Sequence, residues 1–215
     1  MLIFKNLAMK TTIKLFLGLI VTVSFTGCSP ENDIVIPSST DYKFYEDFAS
    51  FTEATEGSPI TIGGWTNYAE AGTKKWKQGF YSGTKYAEFT SYQSGQATNI
   101  AWLISPAINM DTMDHETLAF DVAQAYVSSS ANSIELLVST DFDGTNVITA
   151  NWTALTFTKP ALAYETNFDF FSSGLVDLSG YTGNIYIAFK CKGSGTNTSL
   201  DGTYELDNIR IFDKK

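Results

Sequence analysis

The chain predicts an all-β fold, a two-sheet antiparallel jelly-roll sandwich, on three observations. Apolar residues alternate with a period of two almost everywhere after the first forty positions. Clusters of Gly, Asn, Asp and Ser separate the alternating runs, as antiparallel hairpins and loops require. Past residue 28 no segment keeps a helical apolar stripe over three turns, so two facing sheets are the natural way to bury these residues.

The N-terminus follows a different pattern. Lys5, Lys10 and Lys14 precede an unbroken apolar run from Leu15 to Val23, which ends in Phe25-Thr26-Gly27-Cys28. A membrane span needs about 20 apolar residues, and this run is too short. A cationic, then apolar, then small-residue order is that of a secretory signal. The segment resembles a bacterial lipoprotein signal over residues 1–27, with Phe25 where Leu is usual, and the resemblance implies acylation of Cys28. A chain so anchored is expected at the outer membrane, held by lipid at the cell surface.

Residues 28–40 carry Pro30 and Pro37 among Ser and Thr and read as a tether. Glu31 and Asp33 resemble the surface-export tails of Bacteroidota lipoproteins. Loss of residues 1–27 removes three lysines and no acid, leaving 11 basic against 23 acidic residues and moving the net charge from −9 to −12. Nucleic acid, whose phosphates demand basic stripes, is excluded as a partner. Anionic headgroups would repel the domain, so the acyl chains must supply its membrane attachment.

Residues 41–215 are long enough for one domain with a sizeable core. Its strand candidates are Ala101 to Ser105, Leu118 to Val122, Ile134 to Val138, Trp152 to Thr158, Gly174 to Leu178, Ile185 to Cys191 and Tyr204 to Phe212. Pro106 lacks an N–H and ends the first of these. Cys191 closes the alternation Ile185, Ile187, Phe189, which predicts a buried, inert thiol without an intrachain partner. Asp141, Asp143 and Asn146 have spacings found in calcium loops but lack a distal bidentate Glu, which predicts an Asx-stabilised turn.

An ordered series runs through these elements: Phe44-Tyr45-Glu46-Asp47-Phe48, Gly64-Trp65, Trp76, Trp102-Leu103-Ile104-Ser105-Pro106, Leu118-Ala119-Phe120-Asp121, Ser139-Thr140-Asp141-Phe142-Asp143-Gly144, Trp152-Thr153-Ala154-Leu155, Leu178-Ser179-Gly180-Tyr181 and Tyr204-Glu205-Leu206-Asp207-Asn208-Ile209. From about Asp41 to Phe212 the chain resembles a choice-of-anchor J domain, a relative of the cleaved-adhesin modules of bacterial surface proteins. That resemblance implies a jelly roll, usually non-catalytic, with Glu46 and Asp207 at the positions of a structural Ca²⁺ site. The alternative for both acids is exposure, or bonding to backbone N–H groups.

Catalytic constellations are sparse. Ser105 precedes a proline, and the single histidine, His115, sits in an acidic loop, which argues against a serine triad. No spacing singles out a glycosidase pair among the acids. Aromatic residues carry more signal, because sugar rings stack their C–H faces on flat side chains. The span Trp65 to Tyr92 is rich in them, lacks clean alternation and points to loops, with Trp65, Trp76 and Tyr81 as the ligand-binding candidates. Trp65 and Trp76 equally suit plugs at the sandwich ends. Thr112 in Asp111-Thr112-Met113 resembles an O-glycosylation site of Bacteroidota. Three functions follow: a surface-tethered glycan-binding or adhesive module, an accessory subunit that binds a surface protein, and, last, a glycoside or ester hydrolase.

Overall fold

The computed structural model describes residues 42–112, 114–162 and 166–213. The signal, Cys28 and the tether lie outside them. The described chain folds as two antiparallel sheets built from β1 (Tyr42–Glu46), β2 (Thr66–Ala71), β3 (Lys77–Tyr81), β4 (Thr84–Thr90), β5 (Asn99–Ile104), β6 (Ile108–Asn109), β7 (Glu116–Ala125), β8 (Ser133–Ser139), β9 (Thr153–Leu155), β10 (Phe171–Ser172), β11 (Val176–Asp177), β12 (Asn184–Gly193) and β13 (Thr203–Asp213). A 3₁₀ turn spans Glu53–Thr55.

One sheet runs β10-β7-β13-β4-β3, with β1 on β13 and β11 on β7; the other runs β2-β5-β12-β8-β9, with β6 on β12. The first and last strands are thus neighbours. β4 pairs with residues 203–206 of β13 and β1 with residues 209–212, so they share one edge of that strand. This non-sequential, wholly antiparallel order is the jelly-roll sandwich that the alternation predicts.

The core lies between the sheets. Phe89, Leu103, Phe120, Phe189, Ile134, Leu206 and Ile211 are among its fully buried members, and Phe120 packs edge-on against Phe189 at 5.0 Å. Cys191 is buried with them, and burial pushes its thiol well above the usual range. The Ser105 hydroxyl donates to Pro106 O at 2.8 Å and accepts from Ile187 N at 3.0 Å, so it finishes a strand instead of attacking a substrate. His115 is exposed and faces Asp213 at 3.9 Å.

Strand boundaries differ from expectation where burial overrides local pattern. The expected strand Trp152 to Thr158 shrinks to β9, because Trp152 turns back to bond Val147 O at 2.9 Å. The span Trp65 to Tyr92, expected to put some of its aromatics on loops, holds β2, β3 and β4, with Trp65, Trp76 and Tyr92 outside the strands. In β13, strict alternation would place Glu205, Asp207, Ile209 and Ile211 on one face. Instead the register shifts between Asp207 and Arg210, with Asn208 at φ 50°. This bulge turns Ile209 and Ile211 into the core while Glu205 and Asp207 face outward.

Candidate functional site

The outer face of the seven-stranded sheet carries a groove of about 590 Å³ over β3, β4 and β13. Its floor follows from register. Lys77 stands opposite Glu88, Gly79 opposite Tyr86 and Tyr81 opposite Thr84 on β3 and β4; Glu88 stands opposite Glu205 on β13. Directly opposed residues share a face, so these side chains emerge together, while Ala87, Phe89, Tyr204 and Leu206 enter the core.

Two glycines shape that floor. Ser82 and Gly83, both at positive φ, make the two-residue turn between β3 and β4 and set Tyr81 on the rim, 75 % exposed. Gly79 has no side chain, and the Tyr86 ring lies in the space that a Cβ there would fill.

The wall comes from residues 166–170, which enter the sheet edge at β10. Phe168 N donates to Gln124 O at 3.0 Å and Tyr126 N to Asn167 Oδ1 at 3.0 Å, fixing this segment beside β7. Phe170 meets Tyr86 edge-on at 6.0 Å, and Phe168 meets Tyr126 edge-on at 5.7 Å. Four rings therefore border the groove: Tyr81, Tyr86, Phe168 and Phe170. A smaller depression of about 270 Å³ at His115, Thr117, Leu175, Asp177 and Ser179 has no such ring set.

Electrostatics separate the two floor acids. Lys77 Nζ lies 2.8 Å from Glu88 Oε1. Glu205 is 3 % exposed and lines the groove, and its carboxyl has no hydrogen-bond partner among the described residues. Burial, and then the charge of Glu88, push its carboxyl up to about 8, against the pull of Lys77. Burial likewise raises the Tyr86 phenol. A buried acid with a shifted pKa in a cleft is a functional-site signature.

Of the sequence candidates, Tyr81 lines this groove. Trp76 does not: it is fully buried, 5.9 Å from Phe89, and plugs the core, which corrects its assignment to ligand binding. Trp65 is half-buried against Phe44 and Phe48, at 6.0 and 6.1 Å. Its indole bonds Glu46, whose Oε1 also accepts Phe48 N at 2.8 Å; burial raises the Glu46 carboxyl and those bonds hold it back.

Glu46 stands opposite Ile209, on the core side of β1. Asp207 stands outward opposite Asp121, and Asn208 Nδ2 bonds both acids at 3.3 and 2.9 Å. Burial pushes Asp207 up to about 7, Asn208 N opposes the shift and Asp121 reinforces it. By register Glu46 shares the face of the core residue Ile209, whereas Asp207 faces outward. No group of three or more His, Cys, Asp or Glu residues suited to a metal occurs among the described residues.

The Asp141 to Asn146 segment is the expected Asx turn. Asp143 Oδ1 accepts Thr145 N and Asn146 N at 2.8 and 2.7 Å, which lowers its carboxyl. Sequence reasoning did not place Phe168, Phe170, Lys77, Glu88 or Glu205 in a binding groove. The legible trace was Tyr86 and Glu88 alternating with buried Ala87 and Phe89.

No protein-family model matches the chain, and no curated protein matches it. Solved structures do. The K2 cleaved adhesin domain of Lys-gingipain is 18% identical, with a TM-score of 0.50 over 80% of this chain and 99% of that one. The K1 cleaved adhesin domain of Lys-gingipain from Porphyromonas gingivalis W83 is 20% identical, with a TM-score of 0.48 over 80% and 98%. The CBM22-1 xylan-binding domain from Paenibacillus barcinonensis is 14% identical, with a TM-score of 0.46 over 81% and 97%. At these identities the likeness is one of fold, the β-sandwich that this chain shares with cleaved adhesin domains.

Proposed function

We propose that this chain is an outer-membrane lipoprotein, anchored at Cys28 and displayed at the cell surface, whose choice-of-anchor J-type sandwich binds polysaccharide without catalysis. The observation that carries the binding role is the groove: an exposed Tyr81 on its rim, Tyr86 on its floor, Phe168 and Phe170 on its wall, and carboxyl groups between them. Flat rings offer surfaces for the C–H faces of sugars, and the acids offer acceptors for hydroxyls. The groove sits on paired strands, which hold it rigidly.

The test is a pull-down on insoluble polysaccharides followed by calorimetry on soluble ones. Tyr81→Ala is expected to weaken binding at least tenfold with the melting temperature unchanged. Silence on every glycan, together with a co-purifying surface protein, would favour an accessory protein-binding subunit. For the anchor, Cys28→Ser is expected to abolish palmitate labelling and membrane retention; a variant that stays in the membrane fraction refutes it.

A second reading draws on the opposed acids. Glu205, whose carboxyl burial raises to about 8, stands beside Glu88, which pairs with Lys77, and two facing carboxyl groups in unlike surroundings are what glycoside hydrolysis uses. Release of reducing ends from a bound polysaccharide, abolished by Glu88→Gln, would establish it. The binding module predicts no release.

A further inference from the structure

The groove floor is selective in charge. Lys77 neutralises Glu88, and further along the same face Arg210 lies 3.5 Å from Asp121. Glu205 has neither cation nor hydrogen-bond donor, although it is 97 % removed from solvent and opens into the groove. Burying a carboxyl without a partner is costly, and the cost is relieved by a ligand that brings the missing donor. The aromatic rings bordering the same space present negative faces to a cation. One ligand group answers both features: an ammonium, which donates up to three charge-assisted hydrogen bonds and stacks over rings.

We propose that the groove selects polysaccharides bearing a free, protonated amine, 2-amino sugars of the glucosamine type, with the ammonium seated on Glu205 beside Tyr86. This rests on the groove being a glycan site. One sugar of the polysaccharide stacks on Tyr81 at the rim while the amine of another sugar along it reaches Glu205 on the floor. An N-acetylated residue lacks the charge, a hydroxyl brings a weaker donor, and a uronic acid brings no cation and meets the Glu88 carboxylate. The groups facing Glu205 are consistent with this. Glu88 and Tyr86 approach from β4 and Lys77 from β3; β7 contributes uncharged Ala123, and Asp207 follows two residues on along β13. The nearest competing cation, Lys77, is held by Glu88.

Calorimetry at pH 7 with three β-1,4 tetramers of equal length separates the terms: the tetramer of glucosamine, its fully N-acetylated form, and cellotetraose. The free-amine tetramer is expected to bind at least tenfold tighter than the other two. Glu205→Gln, of the same shape, should bring all three affinities within about twofold of one another. Tyr81→Ala should weaken all three. Tetralysine, a cation without a sugar ring, should not compete. Equal affinities in the native protein would overturn amine selection while leaving the glycan site standing. Binding of none would remove both, and competition by tetralysine would reduce the effect to attraction by an acidic surface.

Discussion

The two sheets share a core, yet their outer faces differ. On the six-stranded sheet the outward residues Trp102, Ile104, Leu137 and Ala188 are apolar, and residues 140–152 fold over them. Phe142 packs at a tilt against Trp152 at 5.5 Å, Trp152 likewise against Trp102 at 5.3 Å, and Lys190 lies over the Trp102 ring at 4.6 Å. Trp102 Nε1 donates to Glu70 at 2.7 Å, so even the indole N–H is satisfied under the cover. On the seven-stranded sheet the outward residues of β3, β4 and β13 are Lys77, Tyr86, Glu88 and Glu205, and the neighbouring segment 166–170 forms only a wall. An apolar outer face recruits its own chain as a lid, whereas a face of rings and charges stays open to a ligand. Aromatic rings therefore stabilise one side, and on the other they line the groove proposed to bind glycan.

That contrast predicts opposite mutational outcomes. Phe142→Ala on the covered side should cost about 3–5 kcal/mol by leaving a cavity under the lid. Urea denaturation measures it, and glycan affinity of the folded fraction should be unchanged. A loss below 1 kcal/mol would mean that the lid is a loose loop.

Glu205 should make stability depend on pH in the direction unusual for an acid. Its folded pKa, about 8, lies above the ordinary 4.5. Between those values the unfolded chain has lost the proton and the folded one keeps it, so stability falls as pH rises from about 4.5 to 8 and is level outside that window. The fall should be on the order of a few kcal/mol, with Asp207, raised to about 7, adding to its lower part. Scanning calorimetry from pH 4 to 9 should show Glu205→Gln flattening the curve; an unchanged slope would place the proton elsewhere.

Gly79→Ala is smaller in reach: its methyl would displace the Tyr86 ring and cost about 1–3 kcal/mol of stability. It should also weaken binding, because the floor ring moves. Tyr81→Ala removes an exposed ring, so its effect on stability should lie within about 0.5 kcal/mol while affinity drops about tenfold.

How much of this the sequence disclosed follows the same divide. β7, β8, β12 and β13 were legible because their inward residues are apolar. β2 to β4 were not, since Tyr68, Tyr81 and Tyr86 fill outward positions and erase the contrast between faces. The Asn208 bulge reversed the facing of Ile209 and Ile211, and alternation alone contains no sign of such a residue. In the groove, Tyr81 was legible as one of the aromatics of a span rich in them. The Glu88 to Glu205 pairing needed the register of strands distant in the chain, and Phe168 and Phe170 come from a stretch without periodicity. Trp76 shows the converse: a tryptophan names large apolar area and says nothing of which side it faces.

Mapping of backbone amide shifts during titration with the best-binding glycan tests the central claim most directly. The account predicts changes clustered at Tyr81, Tyr86, Phe168 and Glu205, with Trp102, Phe142 and Trp152 silent. Changes centred on residues 140–152 or around Trp65, with the groove silent, would contradict it.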